Sequence, residues 1–228
     1  MAKLYRGAEL AKIIDISCVQ TFHSADDIVS LAKIANQNGF VAAHVLPSFV
    51  LHLKDALGAG TRTLLGGPIG FPSGGATTKT KIAEAQELVS IGAQELDMMI
   101  NVGRLISGDA AYVAAEIKAV AEAIAPVPMK VLLEMEYLSE DQIRAACAMA
   151  IDAGAAFVKT STGWGKQGAS IEKLRIIADA CQGEIQIKAS GGIRDLKTVD
   201  AFVALGVTRF GINTRSAVEL VQTNEVSQ

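Results

Sequence analysis

The sequence predicts an α/β fold, a (β/α)8 or TIM barrel, and three observations carry that prediction. Eight short apolar runs alternate with helix-period segments along 228 residues. Most of those runs are continuously apolar, as strands covered on both faces should be. The charged residues that interrupt them stand at their C-terminal ends, where barrels place their chemistry.

The expected strands are 12–17 (KIIDIS), 40–46 (FVAAHVL), 61–66 (TRTLLG), 95–100 (ELDMMI), 128–134 (PMKVLLE), 155–160 (AAFVKT), 184–189 (EIQIKA) and 207–212 (VTRFGI). Between them, apolar residues recur at helical spacing. The predicted buried faces are Ile28, Leu31, Ala32 and Ala35; Ile82, Ala85 and Val89; Val113, Ile117, Val120 and Ile124; Ile143, Ala146 and Ala150; Ile171, Leu174 and Ala178; and Leu196, Val199 and Val203. The segment 47–57 has the weakest helical pattern. Ser139 with Gln142 spells a capping box, Ser170 and Asp195 suit N-caps, and Gly39, Gly92, Gly154 and Gly206 stand where helices should stop. An open doubly wound sheet is the alternative, but no Gly-x-Gly-x-x-Gly follows the first strand. No linker or low-complexity tract divides the chain, so residues 1–228 are expected to form one barrel domain.

Composition narrows the function. Half of the residues are hydrophobic and the net charge is −3, which excludes a disordered chain. The pI near 5.7 and the lack of a basic cluster argue against a nucleic-acid partner. No stretch reaches the roughly 18 apolar residues of a membrane span, and "MAKLYRGAELAKIIDIS" is broken by Lys12 and Asp15 and does not read as a signal peptide. Cys18, Cys147 and Cys181 are odd in number and scattered, which fits reduced thiols in the cytoplasm. Cys147 and Cys181 read as core residues. Self-association is left open.

The strand ends carry Asp15 and Ser17, then His44, Asp97 and Asn101, Glu134, Lys159 and Lys188. Other inward positions read as apolar, so these groups should converge on one mouth. Lys159 and Lys188 end neighbouring strands, and neighbouring strands lie about 4.8 Å apart. A second cation and partial desolvation both lower a lysine's pKa. A neutral amine can attack a carbonyl to form a Schiff base, and nearby carboxylates can move protons at the adjacent carbon. The plainer reading, a lysine merely paired with a carboxylate, is outweighed by the convergence of two lysines with two aspartates.

Glycine-rich loops follow the last three strands: "STGWGKQG" (161–168), "SGGIR" (190–194) and "GINTRS" (211–216). Their backbone N–H groups can hold a phosphate, with Arg194 and Arg215 either adding charge or solvated. The loop "GGPIGFPSGGATT" (66–78) lies at the same mouth and either shapes the pocket or simply turns the chain. Trp164 walls the pocket or covers the rim. His23, His44 and His52 have no spacing that groups them on one element, so no metal and no cofactor is expected.

Together, "ELDMMIN" (95–101), "FVKTSTGWG" (157–165), "IKASGGIR" (187–194) and "FPSGGATTKTKIAEA" (71–85) resemble the deoxyribose-phosphate aldolase family, over about residues 10–220. The resemblance implies a metal-free class I aldolase on a (β/α)8 barrel. It implies Lys159 as the Schiff-base lysine, Lys188 as the lysine that depresses its pKa, Asp97 as Lys188's partner in proton relay, and Asp15 as a substrate-placing carboxylate. It places Gly163, Gly191 and Gly192 on phosphate loops, with Ser17, Thr162, Asn213, Thr214 and Arg215 as further candidates for substrate contact. The implied reaction is reversible cleavage of 2-deoxy-D-ribose 5-phosphate to glyceraldehyde 3-phosphate and acetaldehyde, so the partners are a small sugar phosphate and an aldehyde.

Departures from the family pattern cluster away from the lysines. The first strand reads "IDISCV" rather than "IDHTLL", and "QTF" replaces a lysine-proline. His44 stands where cysteine is common. "GINTRS" replaces "GTSSG", and the chain ends in "NEVSQ" where many members carry a tyrosine. Two alternatives follow: a Schiff-base aldolase with a different acceptor aldehyde, or a non-catalytic sugar-phosphate binder.

Overall fold

A computed structural model describes residues 3–223, so the terminal "NEVSQ" lies outside the described residues. Eight parallel strands close into a barrel in chain order. They are β1 (Ile14–Cys18), β2 (Ala42–Val45), β3 (Leu64–Ile69), β4 (Glu95–Met99), β5 (Met129–Leu132), β6 (Phe157–Lys159), β7 (Gln186–Ser190) and β8 (Val207–Asn213). The ring closes where β8 pairs with β1, Asp15 opposite Gly211 and Ser17 opposite Asn213.

The helices are α1 (Gly7–Ala11), α2 (Ala25–Asn38), α3 (Val50–Leu57), α4 (Thr78–Ile91), α5 (Val102–Ile106), α6 (Ala110–Ile124), α7 (Glu140–Asp152), α8 (Ile171–Cys181), α9 (Leu196–Ala204) and α10 (Thr214–Gln222). The capping box at Ser139 forms as read, and Ser170 and Asp195 accept the backbone N–H of Lys173 and Thr198. Gly39 and Gly92 end α2 and α4 in the left-handed conformation. The weak 47–57 pattern resolves into a 3-10 turn, Pro47–Phe49, leading into α3.

Helices α2, α6 and α7 bury the expected faces. Helix α8 is rotated from expectation: Ile171 is exposed, and Leu174, Ile177 and Cys181 face inward. On α9 the third buried residue is Phe202 rather than Val203. On α4 the inward row is Lys81, Ala85 and Leu88, with a lysine in place of the expected Ile82. Lys81 is fully buried because Glu116 of α6 meets its ammonium at 2.8 Å and the Met99 carbonyl accepts from it at 2.7 Å. A charge in an apolar layer persists only when paired in this way.

Strand β3 begins three residues later than the apolar run suggested and continues through Gly66, Gly67, Pro68 and Ile69. Glycine and proline read as loop residues, yet here they answer to packing. A Cβ on Gly66 would lie 2.3 Å from the His44 ring, and one on Gly67 would crowd Leu88 and Val50 at 3.3 Å.

The apolar core fills the layer between strands and helices, where each fully buried Val, Leu or Ile contributes about 1.5–3 kcal/mol. The barrel interior is different, because its central residues are charged. Among the described residues no helix is long and apolar enough to cross a membrane.

Candidate active site

The interior charges form one connected network. Lys159 donates to Asp97 Oδ2 at 2.7 Å, and Lys188 reaches the same oxygen at 2.9 Å. Lys188 also lies 2.5 Å from Asp15 Oδ2. Lys130 on β5 bridges Asp97 Oδ1 at 3.1 Å and Glu95 Oε1 at 2.6 Å. Arg209 on β8 donates to Asp15 Oδ1 at 2.6 Å and lies 3.5 Å from Glu95 Oε2. His44 Nε2 lies 3.0 Å from Glu95 Oε1 and 3.6 Å from Asp15 Oδ2. The arrangement follows from register. Asp97 pairs with Lys130 across β4 and β5, and Lys159 pairs with Lys188 across β6 and β7.

Four cations (Lys130, Lys159, Lys188, Arg209) therefore face three carboxylates (Asp15, Glu95, Asp97). One neutral lysine would balance the set, and the structure singles out which. Burial lowers the Lys159 pKa most. Asp97 opposes that, Lys188 and Lys130 push it further down, and the result is about 8. Burial also works against the Lys188 charge, but Asp15, Asp97 and Glu95 outweigh it and hold Lys188 well above its usual value. Asp15 and Asp97 are desolvated too, yet Lys188 and Lys130 respectively are the leading cations that keep both carboxyls well below their ordinary range. Lys159 is also the reachable amine: its side chain is 12% exposed, against 2% for Lys188 and 1% for Lys130. Burial thus leads the depression, and Lys188 is the strongest of the repelling charges.

The network floors a cavity of about 520 Å³ at the C-terminal end of the barrel. Twelve residues picked from the sequence line it: Asp15, Ser17, Asp97, Lys159, Thr162, Gly163, Lys188, Gly191, Gly192, Asn213, Thr214 and Arg215. Two of these do local work. Asn213 caps α10 by accepting the Ser216 N–H at 3.0 Å. Arg215, expected to offer a cation to the pocket, pairs along its own helix with Glu219 at 3.0 Å and is 89% exposed. A one-turn spacing on α10 favours that pair.

Two other strand-end residues lie outside the main cavity. Asn101 caps α5 by accepting the Arg104 N–H. Glu134, in left-handed backbone just past β5, accepts from the Thr162 backbone N–H at 3.2 Å and from the Thr162 hydroxyl. Burial raises its pKa, and the Thr162 bonds oppose that rise. Glu136 accepts from the Gln167 N–H at 2.6 Å, so two glutamates after β5 grip the 161–168 loop. Trp164 closes that loop over the mouth, donating to the Val19 carbonyl at 3.2 Å and meeting Phe71 edge-on at 5.9 Å.

Sequence reasoning missed Glu95, Lys130 and Arg209, which overturn the expectation that other inward positions are apolar. Their signal was available. Glu95 and Asp97 are two apart on one strand, hence on one face, as are Arg209 and Gly211. Ser190 was also missed: its N–H donates to Thr160 Oγ1 at 2.9 Å, fastening β7 to the end of β6 just past the lysines. Cys18 lines the cavity wall, its thiol pushed up to about 11 by burial and Asp27. Asp15, His44 and Glu95 lie close enough to share an ion. Both carboxylates are already engaged by ammonium or guanidinium groups, so the trio fits a cation poorly.

The profile of the "DeoC/LacD family aldolase" group matches residues 13–209. The chain belongs to the DeoC/LacD aldolase family. A deoxyribose-phosphate aldolase of Sinorhizobium medicae is 57% identical over 94% of this chain and 86% of its own length. Among solved structures, the aldolase QR15 superposes with a TM-score of 0.85 at 33% identity, covering 92% of this chain and 93% of that one. The tetrameric deoxyribose phosphate aldolase of Aeropyrum pernix does so with 0.83 at 28%, covering 94% and 90%. Family membership agrees with the barrel and with the lysine-centred mouth.

Proposed function

We propose that this protein is a class I aldolase, a lyase that reversibly cleaves 2-deoxy-D-ribose 5-phosphate to glyceraldehyde 3-phosphate and acetaldehyde. The observation that carries the reading is the surplus of one cation in the buried network, relieved at the more exposed of the two lysines that line the cavity. Lys159, neutral, attacks the sugar's C1 carbonyl and loses water to give an iminium ion. Lys188 and Asp97 relay the proton from the C3 hydroxyl as the C2–C3 bond breaks. The electron pair of that bond passes into the iminium, leaving an enamine on Lys159 and free glyceraldehyde 3-phosphate. Protonation at C2 and hydrolysis then release acetaldehyde.

Asp15 aids substrate placement beside Ser17, and the phosphate rests on backbone N–H groups near Gly163, Gly191, Gly192 and Thr214. The engagement of Arg215 by Glu219 favours a second reading, in which the acceptor aldehyde carries a different end group. A cytoplasmic enzyme acting on small molecules, without a nucleic-acid partner, fits the same reading.

The experiment is to incubate the protein with acetaldehyde and borohydride and to locate the reduced adduct by peptide mass spectrometry. The expected adduct is on Lys159; its absence refutes the Schiff-base reading. Turnover of non-phosphorylated and acidic analogues at rates matching deoxyribose 5-phosphate would favour the second acceptor.

A further inference from the structure

The aldolase chemistry gives no task to His44, which lines the cavity. His44 stands on β2 between Ser17 of β1 and Gly66 of β3, and only 4% of it is exposed. Its Nε2 faces two carboxylates, Glu95 at 3.0 Å and Asp15 at 3.6 Å. Ionised carboxylates only accept hydrogen bonds, so Nε2 carries a proton. In the neutral ring the lone pair is then on Nδ1. Among the described residues no hydrogen bond engages Nδ1, although the residue lines the cavity.

The ring's pose is not accidental. Glu95, which receives Nε2–H, is itself held by Lys130 at 2.6 Å and Arg209 at 3.5 Å. Gly66 leaves the space the ring fills, since a Cβ there would come within 2.3 Å of it. An acceptor held in a fixed pose beside the cavity, with no protein partner, is open to a donor on a bound molecule.

We propose that His44 is a specificity-determining residue whose Nδ1 accepts a hydrogen bond from the hydroxyl next to the acceptor's aldehyde carbon. The inference rests on the aldolase reading and deepens it. The chemistry selects the partner. The aldehyde carbonyl has no proton to donate, and the phosphate is expected on the loops after β7 and β8, near Gly191 and Thr214. A hydroxyl on the carbon chain between those two ends is the remaining donor. The contact would discriminate between hydroxylated and deoxygenated acceptors, and would leave the acetaldehyde end of the reaction to Lys159.

The test measures aldol addition of acetaldehyde to two acceptors, glyceraldehyde 3-phosphate and 3-oxopropyl phosphate, which lacks only the hydroxyl. The wild-type protein is expected to prefer the hydroxylated acceptor by at least about tenfold in kcat/KM, because a site built for a hydroxyl rejects analogues that lack it. His44→Leu should bring the ratio close to one, chiefly by losing the hydroxylated acceptor. His44→Gln, which keeps one donor and one acceptor, should restore part of the preference. A wild-type ratio near one overturns the proposal without any variant. So does a His44→Leu protein that slows both acceptors equally, since a packing role would do that. Borohydride trapping separates the two levels: an adduct on Lys159 with no acceptor preference removes only the His44 assignment, whereas no adduct removes both.

Discussion

Lys159 and Lys188 donate to the same oxygen, Asp97 Oδ2, from neighbouring strands at 2.7 and 2.9 Å. One carboxylate oxygen is thus shared by the nucleophile of the proposed reaction and by the cation that repels it. Asp97 opposes the loss of a proton from Lys159, while Lys188 promotes it. The substitution Asp97→Asn keeps the shape and removes the anion. It should lower kcat by about 10²–10⁴ through loss of proton relay. The rising limb of the kcat/KM–pH profile, near pH 8 in the parent because the amine must be neutral to attack, should move to lower pH. A profile of retro-aldol rates against pH checks both.

Lys188→Met should move the same limb the other way. The variant removes the strongest repelling charge on Lys159 and leaves Asp97 more fully available to its ammonium. Both effects favour the protonated amine, so its pKa should climb toward the ordinary lysine value of about 10.4. Burial remains the leading cause of depression, so the climb should stop short of that value. An unmoved limb would show that Lys188 acts only in proton relay.

How much of this was legible in the chain depends on where each residue's signal lies. Lys159 and Lys188 end apolar runs in glycine-rich surroundings, so local pattern alone points to the mouth. Lys130 sits inside "PMKVLLE", where the apolar neighbours hide it, and only the pairing of β4 with β5 places it against Asp97. Arg209 likewise needs ring closure to reach Asp15 on β1, 194 positions away. Strand β3 was misplaced because glycine and proline mark loops locally, whereas the His44 ring, itself distant in sequence, requires the glycine. Arg215 is legible in the opposite way: it lines the cavity, and its partner Glu219 stands one helical turn ahead in the chain itself.

The α4–α6 contact yields a stability prediction independent of the reaction. Lys81 and Glu116 are both fully buried, and their ion pair supports the Met99 carbonyl at the end of β4. Removing one partner strands the other charge in an apolar layer, so Glu116→Ala should destabilise by about 3–5 kcal/mol. Replacing both, as Lys81→Met with Glu116→Leu, should recover most of that loss, because paired buried charges offset little more than their own desolvation. Urea unfolding midpoints of the two variants, compared with the parent, decide it.

Gly66 fits against His44 with no room for a side chain. A methyl at position 66 would overlap the ring at 2.3 Å, and the ring has carboxylates on its Nε2 side, so it cannot shift without giving up Glu95. Gly66→Ala should therefore cost about 1–3 kcal/mol, as overpacked buried sites do. If the cost arises from the ring and not from the strand backbone, it should largely vanish when His44 is first shortened. The double variant Gly66→Ala with His44→Ala is then expected to be nearly as stable as His44→Ala alone. Thermal or urea unfolding of the four proteins closes the cycle. Equal losses from Gly66→Ala in both backgrounds would place the constraint in β3 itself and not in the packing of the histidine.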